Sequence, residues 1–418
     1  MKTIYILFVL ACIVYTLNST AQIMQKNLWT TNGNVYAMYS DDASNTIYIG
    51  GDFDFVGPRT GRSAFIDLVT GDADVSNPYI GSTVRCVVSD GNGGWYVGGD
   101  FATVGGVDRN CIVHINGDKT LNSWNPNVNG SVRTMLVSDS VMYLGGTFTA
   151  VGGQTRNRLA AVNRYTGELL PFNPNVDSTV KALALTGTTL YCGGSFSHVG
   201  GVLRKRIAAI DIGTGIPTAF DANVNSDVNT IAVGNQIYIG GTFINVGGET
   251  RNRIAKVDAV TGAVTSWNPN ANNTVNVIIL SDSLVYAGGT FTSINGSTRK
   301  RLAVLDTVSN SASSWNPDVS NTVNAMVLTG TTLYVGGSFT SIGGIERLRF
   351  ASFDVSNSTL TNTLSNSNGT INALAVYGSS LYAGGSFSSI GGKTVLNIAA
   401  FNAITGKAKD WAPFANST

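Results

Sequence analysis

Residue types that usually carry catalysis or metal binding are sparse in this sequence. Its two histidines, His114 and His198, have no cysteine or carboxylate nearby at the spacing of a zinc ligand set. No Gly-Xaa-Ser-Xaa-Gly segment supports a nucleophilic serine. We therefore predict no catalytic residue, no metal site and no cofactor. We expect His114 to pack within a strand and His198 to be solvated in a loop.

Arginine pairs are a second candidate for function. Two arginines separated by one residue recur along the chain, and this spacing places both side chains on one side of an extended segment. Their recurrence favours a structural role, in which guanidinium groups bond loop carbonyls or a repeated aspartate. Ligand binding is the alternative role. The pairs are Arg156 and Arg158, Arg204 and Arg206, Arg251 and Arg253, Arg299 and Arg301, and Arg347 and Arg349, while Arg62 and Arg109 stand alone.

A third set of residues occupies equivalent positions about 48 residues apart but changes in type. Three consecutive members are cations and four are asparagines. In chain order they are Tyr36, Arg85, Arg133, Lys181, Asn229, Asn276, Asn324 and Asn372. A purely structural position would favour one residue type throughout, so the asymmetry predicts a ligand-binding site. The alternative is neutral drift among solvated side chains.

These residues are positioned by an internal repeat. A Gly-Gly-Xaa-Phe motif, degenerate only in its third residue, occurs eight times at intervals of 47 or 48 residues. The repeated phenylalanines are Phe53, Phe101, Phe148, Phe196, Phe243, Phe291, Phe339 and Phe387. Regular spacing of this length is typical of repeat architectures, in which each unit stacks on its neighbours.

One repeat predicts four short strands. In the fifth unit these are 228–233, 236–243, 251–257 and 264–267, separated by turn residues. The strands are almost continuously apolar, which indicates that both sheet faces are covered. Eight such units predict an all-β, closed eight-bladed β-propeller with four antiparallel strands per blade. The variable residue follows the first residue of the innermost strand, so the set should surround one mouth of the central channel.

The two ends of the repeat region predict how the ring closes. Residues 27–33 match the segment before the third unit, which makes them a fourth strand without a blade of its own. We predict that they join the sheet of the last unit, with 408–413 as a competitor for the same place. Residues 22–418 would then form one domain.

The first 21 residues predict a cleaved secretory signal. Lys2 precedes an uncharged apolar run from Ile4 to Tyr15, and small residues end the segment at Ala21. This run is too short to span a membrane, and no later segment is long and apolar enough to do so. We therefore expect a secreted protein, extracellular or periplasmic. Cys12 would leave with the signal, and three cysteines would stay as small buried residues: Cys86, Cys111 and Cys192.

Charge excludes one class of partner. Charged residues make up 12% of the chain and the net charge is +1, which does not suit a nucleic-acid-binding protein.

The repeat resembles known propeller families. Gly240-Gly241, Val257-Asp258 and Trp267 lie where kelch repeats have a glycine pair, an aromatic and a tryptophan, although the first aromatic is aliphatic here. The Tyr-Xaa-Gly-Gly-Xaa-Phe, Arg-Xaa-Arg-Ile-Ala and Trp-Asn-Pro-Asn segments are more similar to the delta-60 type of secreted bacterial proteins. The segment 333–340 is also similar to fungal cortical polarity-marker repeats. These resemblances imply a fold and leave activity open.

A resemblance to eight-bladed quinoprotein dehydrogenases is weaker. Segments 161–167 and 400–406 are similar to their docking motif, but the closing aromatic comes one residue later and the adjacent cysteine pair is absent.

The sequence favours a secreted, non-catalytic binding or scaffolding propeller. Its ligand would be a carbohydrate or other anionic cell-surface molecule at the channel mouth, and we expect a monomer. The alternative function is a polysaccharide lyase or hydrolase with its site in the same mouth. An enzyme should place an acid or base beside Arg85, Arg133 and Lys181, and the innermost strands supply none at those places.

Overall fold

The regular structure of this chain consists of strands. A computed structural model describes residues 29–41, 46–53, 55–67, 72–74, 76–362, 366–394 and 398–402, and the only regular elements in these ranges are β-strands. The all-β prediction is confirmed. The predicted signal, residues 1–21, and the competing closing segment, 408–413, lie outside the described residues.

Seven separate antiparallel sheets each have an inner, a second and a third strand. The inner strands are Val84–Ser89, Val132–Ser138, Val180–Thr186, Val228–Val233, Val275–Ser281, Val323–Thr329 and Ile371–Tyr377. The second strands are Trp95–Gly99, Val141–Gly146, Thr189–Gly194, Ile237–Gly241, Leu284–Gly289, Thr332–Gly337 and Ser380–Gly385. The third strands are Ile112–Ile115, Leu159–Asn163, Ile207–Asp211, Ile254–Val257, Leu302–Asp306, Phe350–Asp354 and Ser63–Asp67.

The predicted fourth strand is much shorter than the others. It is a two-residue strand in two units, Ala73–Asp74 and Thr359–Leu360. In five units it is a single bridge: Ile115 with Leu121, Val162 with Leu169, Ile210 with Pro217, Val257 with Val264, and Leu305 with Ala312. The outer edge of each sheet is therefore short, which limits the unpaired backbone it presents.

Small hairpins follow the repeated phenylalanines. They are Thr103–Val104 with Val107–Asp108, Ala150–Val151 with Gln154–Thr155, His198–Val199 with Val202–Leu203, Asn245–Val246 with Glu249–Thr250, Ser293–Ile294 with Ser297–Thr298, and Ser341–Ile342 with Ile345–Glu346.

The glycine pair is required by two close contacts. A Cβ on Gly240 would lie 2.6 Å from Cγ1 of Val275 in the next unit. A Cβ on Gly241 would lie 1.9 Å from the backbone oxygen of Asp227 in its own unit. The first glycine thus lets neighbouring sheets approach, and the second lets the inner strand begin beside it. The phenylalanine that follows, Phe243, is fully buried between the units.

The inner strands form a ring of seven. Each packs beside the inner strand of the next unit, and Ile371–Tyr377 packs against Val84–Ser89. The same closing contact appears in detail at Gly384, where an added Cβ would lie 2.2 Å from Cγ1 of Val84. Asn372 also donates a hydrogen bond to the Val84 carbonyl at 3.3 Å. The eighth unit therefore meets the second unit directly.

The first and eighth units exchange their third strands. Ser63–Asp67 of the first unit pairs with Ser380–Gly385 of the eighth, and completes the seventh blade of the ring. Ile398–Asn402 of the eighth unit pairs instead with Thr46–Asp52 of the first. With Asn34–Asp41, these two strands form a separate sheet, which we call the exchanged sheet.

Arg62 explains why the exchange suits the sequence. In the ring, Arg206 accepts a hydrogen bond from Gly194 and donates one to the Ser195 carbonyl. Arg62 makes the same two bonds across the exchange: its carbonyl accepts from the Gly385 N–H, and its guanidinium donates to the Ser386 carbonyl. The eighth unit has Asn397 at that position, so it lacks an arginine of its own to do this.

Two predictions about closure are therefore wrong for the described residues. The ring holds seven blades, because Val84 occupies the place on Gly384 that the first unit would need. Trp29–Thr31 does not join the sheet of the last unit, and pairs instead with Phe55–Pro58. That strand also pairs with Lys393–Thr394, so the segment belongs to a small sheet that links the two ends of the chain.

Candidate functional site

A β-bulge positions each of the variable residues. In every inner strand the pairing register shifts after the first residue, so the second residue has no partner on the adjacent strand; in the third unit this residue is Arg133. A bulge re-aims the side chain of its extra residue. The repeated backbone irregularity therefore turns one residue of each unit away from the sheet. The bulge residues in the ring are Arg85, Arg133, Lys181, Asn229, Asn276, Asn324 and Asn372.

The bulge residues of the ring meet at one end of the channel. Six of them line an open cavity of about 290 Å³: Arg85, Arg133, Lys181, Asn229, Asn276 and Asn372. Asn324 adjoins them, because its Oδ1 accepts a hydrogen bond from Asn276 at 3.3 Å. Tyr36 does not join this group. It lies in the exchanged sheet with 73% of its surface exposed, because the first inner strand is outside the ring.

Two of the three cations are already paired with carboxylates. Arg85 binds Asp100 through Nε and Nη2 at 2.5–2.9 Å. Lys181 binds Asp227 of the next blade at 2.7 Å. Burial alone would raise the pKa of both carboxyls, but the hydrogen bonds and charges of their partners prevail and lower it. Both groups are therefore ionised at neutral pH.

Arg133 differs from the other two cations. No hydrogen bond or ion pair joins its side chain to another described residue, and its Nε is buried without a partner. Thr147 stands where its own blade could have supplied a carboxylate like Asp100, and Thr179 stands where the next blade could have supplied one like Asp227. Burial, followed by the charge of Arg85, lowers the pKa of the Arg133 guanidinium. Asp100, which is already paired with Arg85, acts on Arg133 only through its charge and offsets part of this shift. Arg133 is thus a half-buried cation without an ion-pair partner of its own among the described residues.

The asparagine side of the mouth is organised differently. Asn276, Asn324 and Asn372 donate from Nδ2 to the backbone carbonyl of the next inner strand at 3.2–3.4 Å. These bonds tie adjacent blades together at the rim. They also hold the amide nitrogens toward protein, which leaves Oδ1 of Asn276 and Asn372 without a donor among the described residues. Asn229 has no hydrogen bond within the same part of the chain.

The arginine pairs have the structural role that their repetition favoured. In the fourth unit, Arg204 donates to the carbonyls of Leu203 and Thr218, which pins the loop to the outer edge of the blade. Arg206 adopts a positive φ of 67° and donates to the carbonyl of Phe196 at 3.4 Å. The second arginine of every pair has a φ of 64–67°, a conformation that sequence reasoning missed.

The two histidines also serve structure. His114 lies in a strand, as predicted, and is stacked on Tyr96 with its Nε2 2.9 Å from Asp90. His198 is exposed and lies 3.0 Å from Asp177, in a short hairpin strand. The described residues contain no group of three or more side chains of the types that could hold a metal ion.

The three cysteines among the described residues are free thiols. Cys192 is buried, as predicted, and burial raises the pKa of its thiol to about 12. Cys86 and Cys111 are only partly buried.

The ring of blades with one polar mouth defines this chain as a β-propeller. The family described as "Domain of unknown function (DUF5122) beta-propeller" matches residues 235–264, a short part of the chain. No curated protein is detectably similar to it. Within the described residues no helix is long and apolar enough to cross a membrane.

Two solved structures share the fold. The computationally designed Ika8 protein matches with a TM-score of 0.50 and 14% identity, over 75% of this chain and 96% of its own. The WD40 β-propeller domain of Doa1 matches with a TM-score of 0.51 and 11% identity, over 74% of this chain and 92% of its own. At this identity the likeness concerns architecture alone.

Proposed function

We propose that this chain is a secreted, non-catalytic binding propeller with kelch-like or delta-60-type repeats, and that it recognises an anionic carbohydrate at the mouth of its channel. Propellers commonly serve as binding or scaffolding modules, and the signal-like first 21 residues support export. The ligand-binding residues are the seven ring members of the set predicted from the sequence, without Tyr36.

Arg133 carries this proposal. A half-buried guanidinium without an ion pair or hydrogen bond of its own is costly unless a ligand supplies one, and low-dielectric walls strengthen its field toward an incoming anion. The cavity beside it is open and lined by polar side chains. Asn229, which also lacks a hydrogen bond to the described residues, offers both a donor and an acceptor to the neutral part of such a ligand.

An enzyme in the same mouth is less well supported. The mouth does hold two carboxylates, Asp100 and Asp227, which come from outside the inner strands. Each is held in an ion pair, and the pKa of each is lowered, so neither is suited to donate a proton at neutral pH. As general bases they would be weak, because a lowered pKa reduces basicity and their oxygens are occupied by the ion pairs.

Binding to a glycan array by residues 22–418 tests the proposal, followed by calorimetry with the acidic glycans that bind. Arg133→Ala should weaken binding by about tenfold or more, because one charge-assisted hydrogen bond contributes ~1.5–3 kcal/mol. Lys205→Ala is the matched control, since Lys205 is exposed, carries the same charge and lies outside the cavity. The control should bind as the wild type does. Failure of all acidic glycans to bind, or equal binding by Arg133→Ala, would reject the proposal.

A further inference from the structure

We propose that the mouth selects a small sugar acid, with one carboxylate and several hydroxyl groups, over phosphorylated sugars. This inference rests on the proposed function and names the chemical class of its ligand. It follows from three properties of the mouth: its net charge, the direction of its amides and its size.

The charge of the mouth suits a monoanion. Three cations line the cavity, and the two carboxylates that pair with Arg85 and Lys181 are Asp100 and Asp227, so these five groups have a net charge of +1. A ligand with a single negative charge would neutralise the site. A phosphate monoester, which carries about two charges above its second pKa near 6, would leave excess negative charge beside two partly buried carboxylates.

The amides of the mouth suit hydroxyl groups. Asn276 uses both amide hydrogens, on the Val323 carbonyl and on Oδ1 of Asn324. Asn372 donates to the Val84 carbonyl, and its Oδ1 accepts no hydrogen bond from the described residues. Oδ1 of both residues can therefore accept from a ligand that donates hydrogen bonds. The mouth thus places a cation on one side and acceptors on the other.

The size of the cavity suits one sugar ring. Its volume of about 290 Å³ lies at the lower limit for pockets that hold drug-sized molecules. A monosaccharide acid, or the acidic end of a longer glycan, fits this volume and can reach Arg133 and the asparagines together.

The test compares four probes by calorimetry or saturation-transfer NMR at pH 8: glucuronate, glucose, acetate and glucose 6-phosphate. Glucuronate should bind at least about tenfold more tightly than glucose, which lacks the charge, and than acetate, which lacks the hydroxyl groups. It should also bind several-fold more tightly than glucose 6-phosphate. Asp100→Asn and Asp227→Asn each remove one negative charge and so raise the net charge of the mouth by one. Each should therefore shift the preference toward the phosphate by about tenfold. Asp354→Asn makes the same charge change at the end of a third strand, outside the cavity, and should leave the preference unaltered.

Two kinds of failure can be separated. Equal or tighter binding of glucose 6-phosphate or acetate to the wild type, still lost in Arg133→Ala, would overturn the sugar-acid inference and leave the proposed function standing. An unaltered preference in both aspartate variants would also overturn it. Absence of any Arg133-dependent binding would reject the proposed function itself.

Discussion

Substitution of Gly384 by alanine tests which blades meet where the ring closes. A Cβ at this position would lie 2.2 Å from Cγ1 and 2.9 Å from Cβ of Val84, closer than the 2.6 Å found for Gly240 and Val275 inside the ring. In an eight-bladed ring the same Cβ would instead meet the inner strand of the first unit, at Val35. The residue whose truncation relieves the clash therefore distinguishes the two rings: Val84 for seven blades and Val35 for eight.

The expected cost comes from overpacking a buried contact between β-strands. Such changes cost ~1–3 kcal/mol, and the short distance here favours the upper part of this range. With an unfolding entropy of ~2.1 cal/mol/K per residue, 3 kcal/mol lowers Tm by roughly 4 °C in a domain of this size. Urea denaturation followed by tryptophan fluorescence would give the free energy of unfolding for each variant.

A double-mutant cycle decides the outcome. Val84→Ala removes the clashing methyl groups, so the double variant Gly384→Ala with Val84→Ala should be less destabilised than the sum of the single changes by about 1 kcal/mol or more. Val35→Ala should show no such coupling, since Val35 is 44% exposed in the exchanged sheet. Gly81→Ala is the control for the glycine change itself, because its added Cβ meets Tyr79 at an ordinary 3.5 Å. Coupling of Gly384 to Val35 instead of Val84 would refute the seven-bladed ring.

Two further outcomes follow from the described contacts. Arg206→Ala should be less stable than Arg206→Gly by about 1 kcal/mol in urea denaturation. Both variants lose the guanidinium hydrogen bonds, but only alanine keeps the energetic penalty of the positive φ. A more stable alanine variant would contradict this argument. Hydrogen bonds from the backbone and side chain of Thr214 hold the pKa of Asp211 below its ordinary 3.8, and those of Thr261 do the same for Asp258. The native state then binds fewer protons than the unfolded state in acid. Tm should therefore be constant from pH 7 to 5 and fall below about pH 4. A Tm that rose on acidification would contradict this prediction.

The candidate site could be anticipated because the repeat supplies its own comparison. Eight aligned units show which positions are required by the blade, as the glycine pair is, and which are free to vary. The variable set that includes Arg133 stands out in the sequence alone for this reason. The counter-charges could not be found in the same way, because Asp100 follows a glycine pair and Asp227 precedes an inner strand of another blade. The pairing of the first two strands within a blade brings Asp100 to Arg85, and the packing of adjacent blades brings Asp227 to Lys181.

The repeat, the short antiparallel strands and the one variable residue per unit can all be read from the sequence. These features depend on local patterns: alternating turns and apolar runs, and glycines where another backbone must come close. That eight repeats make seven blades in the ring depends on contacts between distant parts of the chain. The third strands of the first and eighth units can pair with either second strand, since both are short and apolar, so local patterning does not choose between them. The choice is made where the ring meets, by Val84 packing on Gly384 and Arg62 bonding Ser386, contacts between residues some 300 positions apart.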